Sequence, residues 1–272
     1  MIYNNIFIDK EDRRPIGIFD SGLGGLTVLN DLAKSFPGQR FIYLGDLANL
    51  PYGNKSKNNI IKCSLSCAKF LKEKDVKGIV IACNTASSYA YCEIKENSSI
   101  PIFDVIHPCA ESVSKSNYKK IAIIGTEKTI ESNIYFNTIS ALNEQIKIYN
   151  MACPLFVPIV EEGLENSSIA YSIIDMYLKG LKERNIEGLV LGCTHYPILS
   201  EALKKYFNNS VVIFKSGEAL ANKYKDSANH INLDINQSVE IEYYVTDSPD
   251  RFIKYGNKFL FQNINDVNLI KL

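Results

Sequence analysis

The sequence predicts an α/β fold: two similar α/β domains with mainly parallel sheets, related by a pseudo-twofold axis, with the functional site in the cleft between them. Three observations carry this. Short apolar, β-branched runs alternate with helix-like segments along the 272 residues, the pattern of βα units around a parallel sheet. Most of these runs stop at a glycine or a small polar residue before the next helix. A strand ending in cysteine occurs twice, once in each half of the chain.

Residues 1–14 carry Asp9, Glu11 and Asp12 among apolar residues. They read as a short polar extension, without the basic region, apolar stretch and cleavage site of a signal peptide. Residues 16–19 form the first strand, which stops at Asp20-Ser21-Gly22, and a helix follows over 26–34. Residues 41–44 are a second strand, ending at Gly45-Asp46, and 60–73 an amphipathic helix. Residues 78–82, 100–105, 121–124 and 188–191 are further buried strands. Near the end, 239–245 reads as one more strand and 252–261 as a last helix.

The internal repeat organises these elements. Lys77-Gly78-Ile79-Val80-Ile81-Ala82-Cys83-Asn84-Thr85 parallels Glu187-Gly188-Leu189-Val190-Leu191-Gly192-Cys193-Thr194-His195. Upstream, Ile16-Gly17-Ile18-Phe19 before Asp20-Ser21 parallels Ile121-Ala122-Ile123-Ile124 before Gly125-Thr126. The period is far too long for a solenoid, so two related domains are expected. The boundaries fall near His107-Pro108 and Ser216-Gly217, giving a first domain of 1–106 with 217–272 and a second of 107–216.

Composition narrows the function. Thirty basic residues balance thirty acidic ones, so no net field favours nucleic acid or an anionic membrane. No apolar run has the length of a membrane span. The seven cysteines form no C-x-x-C pair and no disulfide framework. Reduced thiols, and hence a cytoplasmic protein, are expected. Cys63 and Cys67 share a helix face and read as core, and Cys92, Cys109 and Cys153 as structural. His107 and His230 read as helix-cap or surface residues.

Cys83 and Cys193 differ from the rest. Each ends a strand of a parallel sheet, where ligands bind, and each precedes a helix start, whose free N–H groups favour a thiolate. Two activatable thiols facing each other across a cleft suit inversion of a carbon stereocentre, with a base on one face and an acid on the other. The neighbouring turns hold Asp20-Ser21, Tyr52-Gly53, Asn84-Thr85 and Thr194-His195. They offer hydroxyl, amide and backbone donors, plus a carboxylate for an ammonium group, to a small zwitterion. No arginine lies in these turns. Ser21-Gly22-Leu23-Gly24-Gly25 lacks the Lys-Ser/Thr of a P-loop and the dinucleotide glycine spacing, so it reads as a tight turn with close backbone approach.

Several stretches together resemble the glutamate racemase family. They are Gly17 to Val28, Pro51-Tyr52-Gly53, Ala82-Cys83-Asn84-Thr85-Ala86-Ser87, Gly125-Thr126 with Thr129-Ile130, Pro154-Leu155-Phe156-Val157-Pro158 with Glu161, and Leu191-Gly192-Cys193-Thr194-His195-Tyr196-Pro197. The resemblance implies cofactor-independent interconversion of L- and D-glutamate, with D-glutamate feeding peptidoglycan synthesis. It implies that Cys83 removes the proton from D-glutamate and Cys193 from L-glutamate. Asp20 and His195 would assist the first and second thiol, with Glu161 a further assisting group. Asp20, Ser21, Tyr52, Gly53, Asn84, Thr85, Thr194 and His195 match substrate-contacting positions. No metal, pyridoxal phosphate or nucleotide is implied, and a homodimer is compatible. Leu47, Asn49, Cys109 and Lys215 depart from residues common in the family. Racemisation of aspartate, a non-catalytic binding protein and a Cys–His hydrolase are the alternatives, and the last leaves the second thiol without a task.

Overall fold

The computed structural model describes residues 6–7, 11–226, 239–260 and 262–272. The chain begins with β1 (Ile16–Asp20), α1 (Leu26–Ser35), β2 (Phe41–Gly45), α2 (Lys57–Glu73), β3 (Gly78–Ile81), α3 (Asn84–Glu96), β4 (Ile102–Asp104) and α4 (Ile106–Ser114). It continues with β5 (Lys120–Gly125), α5 (Glu127–Glu131), α6 (Ile134–Leu142), β6 (Lys147–Ala152), α7 (Phe156–Glu161), α8 (Ser168–Glu183), β7 (Gly188–Gly192), α9 (Ser200–Tyr206), β8 (Val212–Lys215) and α10 (Ser216–Asp226). It closes with β9 (Ile241–Val245), α11 (Pro249–Gly256) and β10 (Asn268–Leu269).

Two sheets result, both mixed with helices. The first runs β10-β9-β2-β1-β3-β4 and the second β6-β5-β7-β8, with parallel pairing throughout. Strand β9 pairs with β2, so the end of the chain rejoins the sheet at which it began. Helices α4 and α10 follow the two crossings between sheets and pack on each other, and α10 also packs on α1. The central strands β1, β3 and β7 are buried on every residue, which is why each reads as a continuous apolar run rather than an alternating one. Among the described residues, no helix is long and apolar enough to cross a membrane.

Helix starts follow side-chain caps. Ser56, Thr126 and Ser167 each accept a hydrogen bond from a backbone N–H three residues on. Ser56 therefore begins α2 three residues before the expected 60–73 segment. At α4 the cap is Asp104, whose Oδ1 accepts from the backbone N–H groups of Ile106 and His107. His107 sits beside it, with Nδ1 2.9 Å from Asp104 Oδ2. His230 lies outside the described residues.

Several expectations are corrected. The last helix is Pro249–Gly256 rather than 252–261. Proline suits a first helical turn, where its missing N–H costs nothing, and the helix ends where Gly256 packs against Ile264 and Leu26. Phe261 is outside the described residues. Strands β6 and β8 were not anticipated, because both are sheet edges of half-exposed, mixed residues without a clean period. Cys92 is exposed rather than structural, and Cys63 only half-buried, while Cys67, Cys109 and Cys153 are buried.

The N-terminal segment is also not purely polar. Phe7 is buried, stacked on Phe36 at 4.9 Å between ring centroids and close to Phe103 and Tyr224. Phe7→Ala should therefore lower stability by about 3 kcal/mol, read as a fall in the urea midpoint. An unchanged midpoint would make this segment a dispensable tail.

Candidate active site

The carboxyl ends of β1, β3 and β7 converge on one pocket between the sheets. It is a narrow cleft, with about 430 Å³ of non-atom space when its open mouth is included. Of the residues singled out from sequence, Ser21, Tyr52, Gly53, Cys83, Asn84, Thr85, Glu161, Cys193, Thr194 and His195 line it. Asp20 does not. It is fully buried behind the wall, where its Oδ1 accepts from the Gly22 N–H at 2.9 Å and its Oδ2 from the Thr194 hydroxyl at 3.3 Å. Leu50 also lines the pocket without a sequence signal, and Gly22, Pro51, Thr126 and Val157 line it as members of matching stretches that gave them no role of their own.

The two thiols are held differently. Cys83 caps α3: its sulfur accepts from the Ala86 N–H at 3.5 Å and lies 3.7 Å from Ser21 Oγ. The helix start was expected to favour the thiolate. Instead burial, reinforced by the nearby Asp20 carboxyl, pushes the Cys83 thiol up to about 12, and the N–H contact only partly offsets this. Burial likewise raises Asp20 above the usual carboxylate range. Cys193 is not followed directly by an α-helix. A short 3-10 turn, Tyr196–Leu199, comes first. Its polar neighbour is His195, with Nδ1 3.9 Å from the sulfur.

His195 in turn meets Glu161, Nε2 to Oε1 at 3.2 Å. Burial opposes a charge on the imidazole, but the contacts to Cys193 and Glu161 outweigh it and push His195 up to about 10. Glu161 shows the mirror effect. Burial works against its ionisation, yet His195 and Arg251 hold it below the usual carboxylate range. One side of the pocket thus presents a thiol backed by a buried acid, the other a thiol beside an imidazolium.

The walls are tied by polar contacts between segments. Asn84 Oδ1 accepts from the Tyr135 hydroxyl at 2.7 Å and its amide donates one N–H to Ser216 Oγ at 3.3 Å, leaving one N–H for the pocket. Thr85, Thr126 and Thr129 form a hydroxyl triangle with sides of 2.9, 3.2 and 3.0 Å that links the start of α3 to the start of α5. Tyr52 is fixed from behind by its hydroxyl bond to Asp46 Oδ2 at 2.7 Å. Asp46 Oδ1 also accepts from Thr246 and from Asn49, so Asn49 becomes part of the frame of the rim. Leu47 packs inward beside Gly45, Cys109 is buried in α4, and Lys215 pairs with Glu218 at 3.8 Å.

Fold and pocket together define a two-lobed α/β enzyme of the amino-acid racemase class. The chain belongs to the Asp/Glu/Hydantoin racemase family, whose model matches residues 23–224, and within it to the glutamate racemases. A glutamate racemase from Sulfurihydrogenibium sp. (strain YO3AOP1) is 45% identical over 245 residues, covering 89% of this chain and 92% of the relative. The crystal structure of glutamate racemase from Francisella tularensis subsp. tularensis SCHU S4 in complex with D-glutamate is 37% identical, with a TM-score of 0.86 over 95% of this chain and 98% of that one. Glutamate racemase isoform RacE1 from Bacillus anthracis gives a TM-score of 0.88 at 32% identity, again over 95% and 98% of the two chains.

Proposed function

We propose that the protein interconverts L- and D-glutamate by moving a proton at Cα between two thiols, Cys83 and Cys193. The observation that carries this reading is that both sulfurs line one pocket from opposite sheets. Enantiomers differ only in which face of Cα holds the hydrogen, so one group on each face serves both directions. Cys193 takes the proton from L-glutamate while Cys83 delivers one to the opposite face, and the roles reverse for D-glutamate.

The surroundings support these roles. His195, backed by Glu161, holds its Nδ1 beside the Cys193 sulfur, where it can orient that thiol and exchange a proton with it. Asp20 sits behind Cys83 and raises the cost of its thiolate. Cys83 is then suited to resting as the acid until a cationic α-ammonium enters. Ser21, Thr85, the free Asn84 N–H and the Gly53 and Thr194 backbones offer neutral donors to the carboxylates. Tyr52 shapes the wall. Segments 1–106 with 217–272, and 107–216, act as two domains that enclose the substrate. Proton transfer of this kind asks for no cofactor. The product, D-glutamate, would enter peptidoglycan synthesis, in a cytoplasmic setting where the thiols stay reduced.

A reaction in D₂O tests the mechanism. Starting from L-glutamate, early D-glutamate should carry deuterium at Cα, while the recovered L-glutamate stays largely protiated, because the accepting and donating groups are different. Product that kept the substrate's own hydrogen would sink the two-thiol reading. Glutamate should be turned over far faster than aspartate in the same assay.

A further inference from the structure

Glu161 is gripped from two sides. Its Oε1 meets His195 Nε2 at 3.2 Å, and its Oε2 accepts from an Arg251 guanidinium N–H at 3.3 Å. The partners come from different sheets. Glu161 ends α7 and His195 follows β7, both on the four-stranded side, whereas Arg251 is on α11, between β9 and β10 of the six-stranded sheet. The same segment touches this corner twice more. The Phe259 ring stands edge-on to His195 at 6.1 Å, and Lys258 Nζ lies 2.6 Å from where a Cβ on Gly163, just after α7, would stand. Arg251 itself does not line the pocket.

We propose that Arg251 is a positioning residue for the Cys193 side of the site: reaching across the boundary between the sheets, it fixes the Glu161 carboxylate in the orientation that holds His195 beside Cys193. This rests on the reading of His195 and Glu161 as assisting groups. A carboxylate tethered at one oxygen swings about its side-chain torsions, and a guanidinium on the second oxygen fixes its plane. The geometry is one of division of labour: one oxygen orients the imidazole, the other is anchored to the opposite lobe. The seating of α11 is thereby coupled to the chemistry at Cys193. Other charged or titratable groups facing this relay are Asp20, which acts on His195 from the end of β1, Cys193 itself, and Lys258 beyond α7.

The test compares Arg251→Gln and Arg251→Lys with Glu161→Gln and His195→Asn. It measures kcat and KM in both directions, thermal stability, and the ¹⁵N titration of the His195 ring, assigned by its loss in His195→Asn. Because the enantiomers are equal in free energy, kcat/KM must fall equally in the two directions. Arg251→Gln should lower it about tenfold. The titration of His195 should move from about 10 toward the ordinary histidine value, and Arg251→Lys should recover most of both. A titration that stays or rises, or a loss confined to thermal stability, would overturn the positioning role. Wild-type rates in Arg251→Gln beside impaired Glu161→Gln and His195→Asn would also overturn it while leaving the assisting groups in place. Wild-type rates in both Glu161→Gln and His195→Asn would instead remove the reading on which it rests.

Discussion

Cys193→Ala is expected to lower racemisation of either enantiomer by about ten-thousand-fold or more, the scale set by losing a positioned acid–base group, and Cys83→Ala should do the same. The fold should survive, since each sulfur is small and sits at a pocket wall rather than in the centre of a sheet. The two variants nevertheless differ in what they retain. With Cys193 gone, L-glutamate has no base, but Cys83 still faces the hydrogen of D-glutamate. Slow exchange of that hydrogen with solvent should persist, with return to the same face. Cys83→Ala should mirror this, exchanging L-glutamate only. Deuterium wash-in followed by chiral chromatography separates these outcomes. Exchange of the same enantiomer by both variants would contradict the assignment of faces, and normal turnover by either would remove that thiol from the mechanism.

The asymmetry around the two thiols affects how this experiment reads out. Cys83 is backed by a buried acid and raised to about 12, whereas His195 beside Cys193 is raised to about 10 and carries positive charge over the physiological range. In the free enzyme, Cys83 therefore rests protonated at neutral pH. The residual exchange by Cys83 in Cys193→Ala should accordingly rise with pH up to the alkaline limit of the assay, because its thiolate is the scarce form.

The centre of the fold was legible in the sequence, as was the buried edge strand β4, but the half-exposed edges β6 and β8 were not. Strands β1, β3 and β7 are buried on both faces, so their Gly, Ile, Val and Leu runs announce themselves, and the cysteines that follow β3 and β7 mark the pocket. Edge strands β6 and β8 are half-exposed along their length, and Asn150 or Lys215 within them hides the period. At the site, turn residues next to the strand ends were found because local sequence carries them. Thr126 was in view as part of a matching stretch, yet its place in the wall follows only from the meeting of α3 and α5. Arg251 had no local signal at all. It stands in a helix far along the chain, and only the return of β9 to β2 brings it to Glu161.

The tight turn after β1 supplies the second large effect. A Cβ on Gly24 would stand 2.3 Å from Thr194 Oγ1, 2.5 Å from His195 Nδ1 and 2.7 Å from His195 Cε1. No real contact is that short, so the turn of the first lobe meets the Thr194-His195 turn of the second only because residue 24 has no side chain. Thr27 stitches the same junction, its hydroxyl lying 2.9 Å from both the Gly24 and Thr194 carbonyl oxygens. Gly24→Ala must push the His195 ring away from Cys193 and Glu161 or part the two turns. A displacement of about 1 Å at a reacting group costs on the order of a hundredfold in rate. That loss in kcat/KM is expected, with a smaller fall in thermal stability. Gly180→Ala is the control: it lies within α8 with nothing near its Cβ position, so it should keep full activity and gain about 0.5–1 kcal/mol from helix propensity. If Gly24→Ala racemised glutamate at the normal rate, His195 would not need its present seat beside Cys193, and its assisting role would have to be given up.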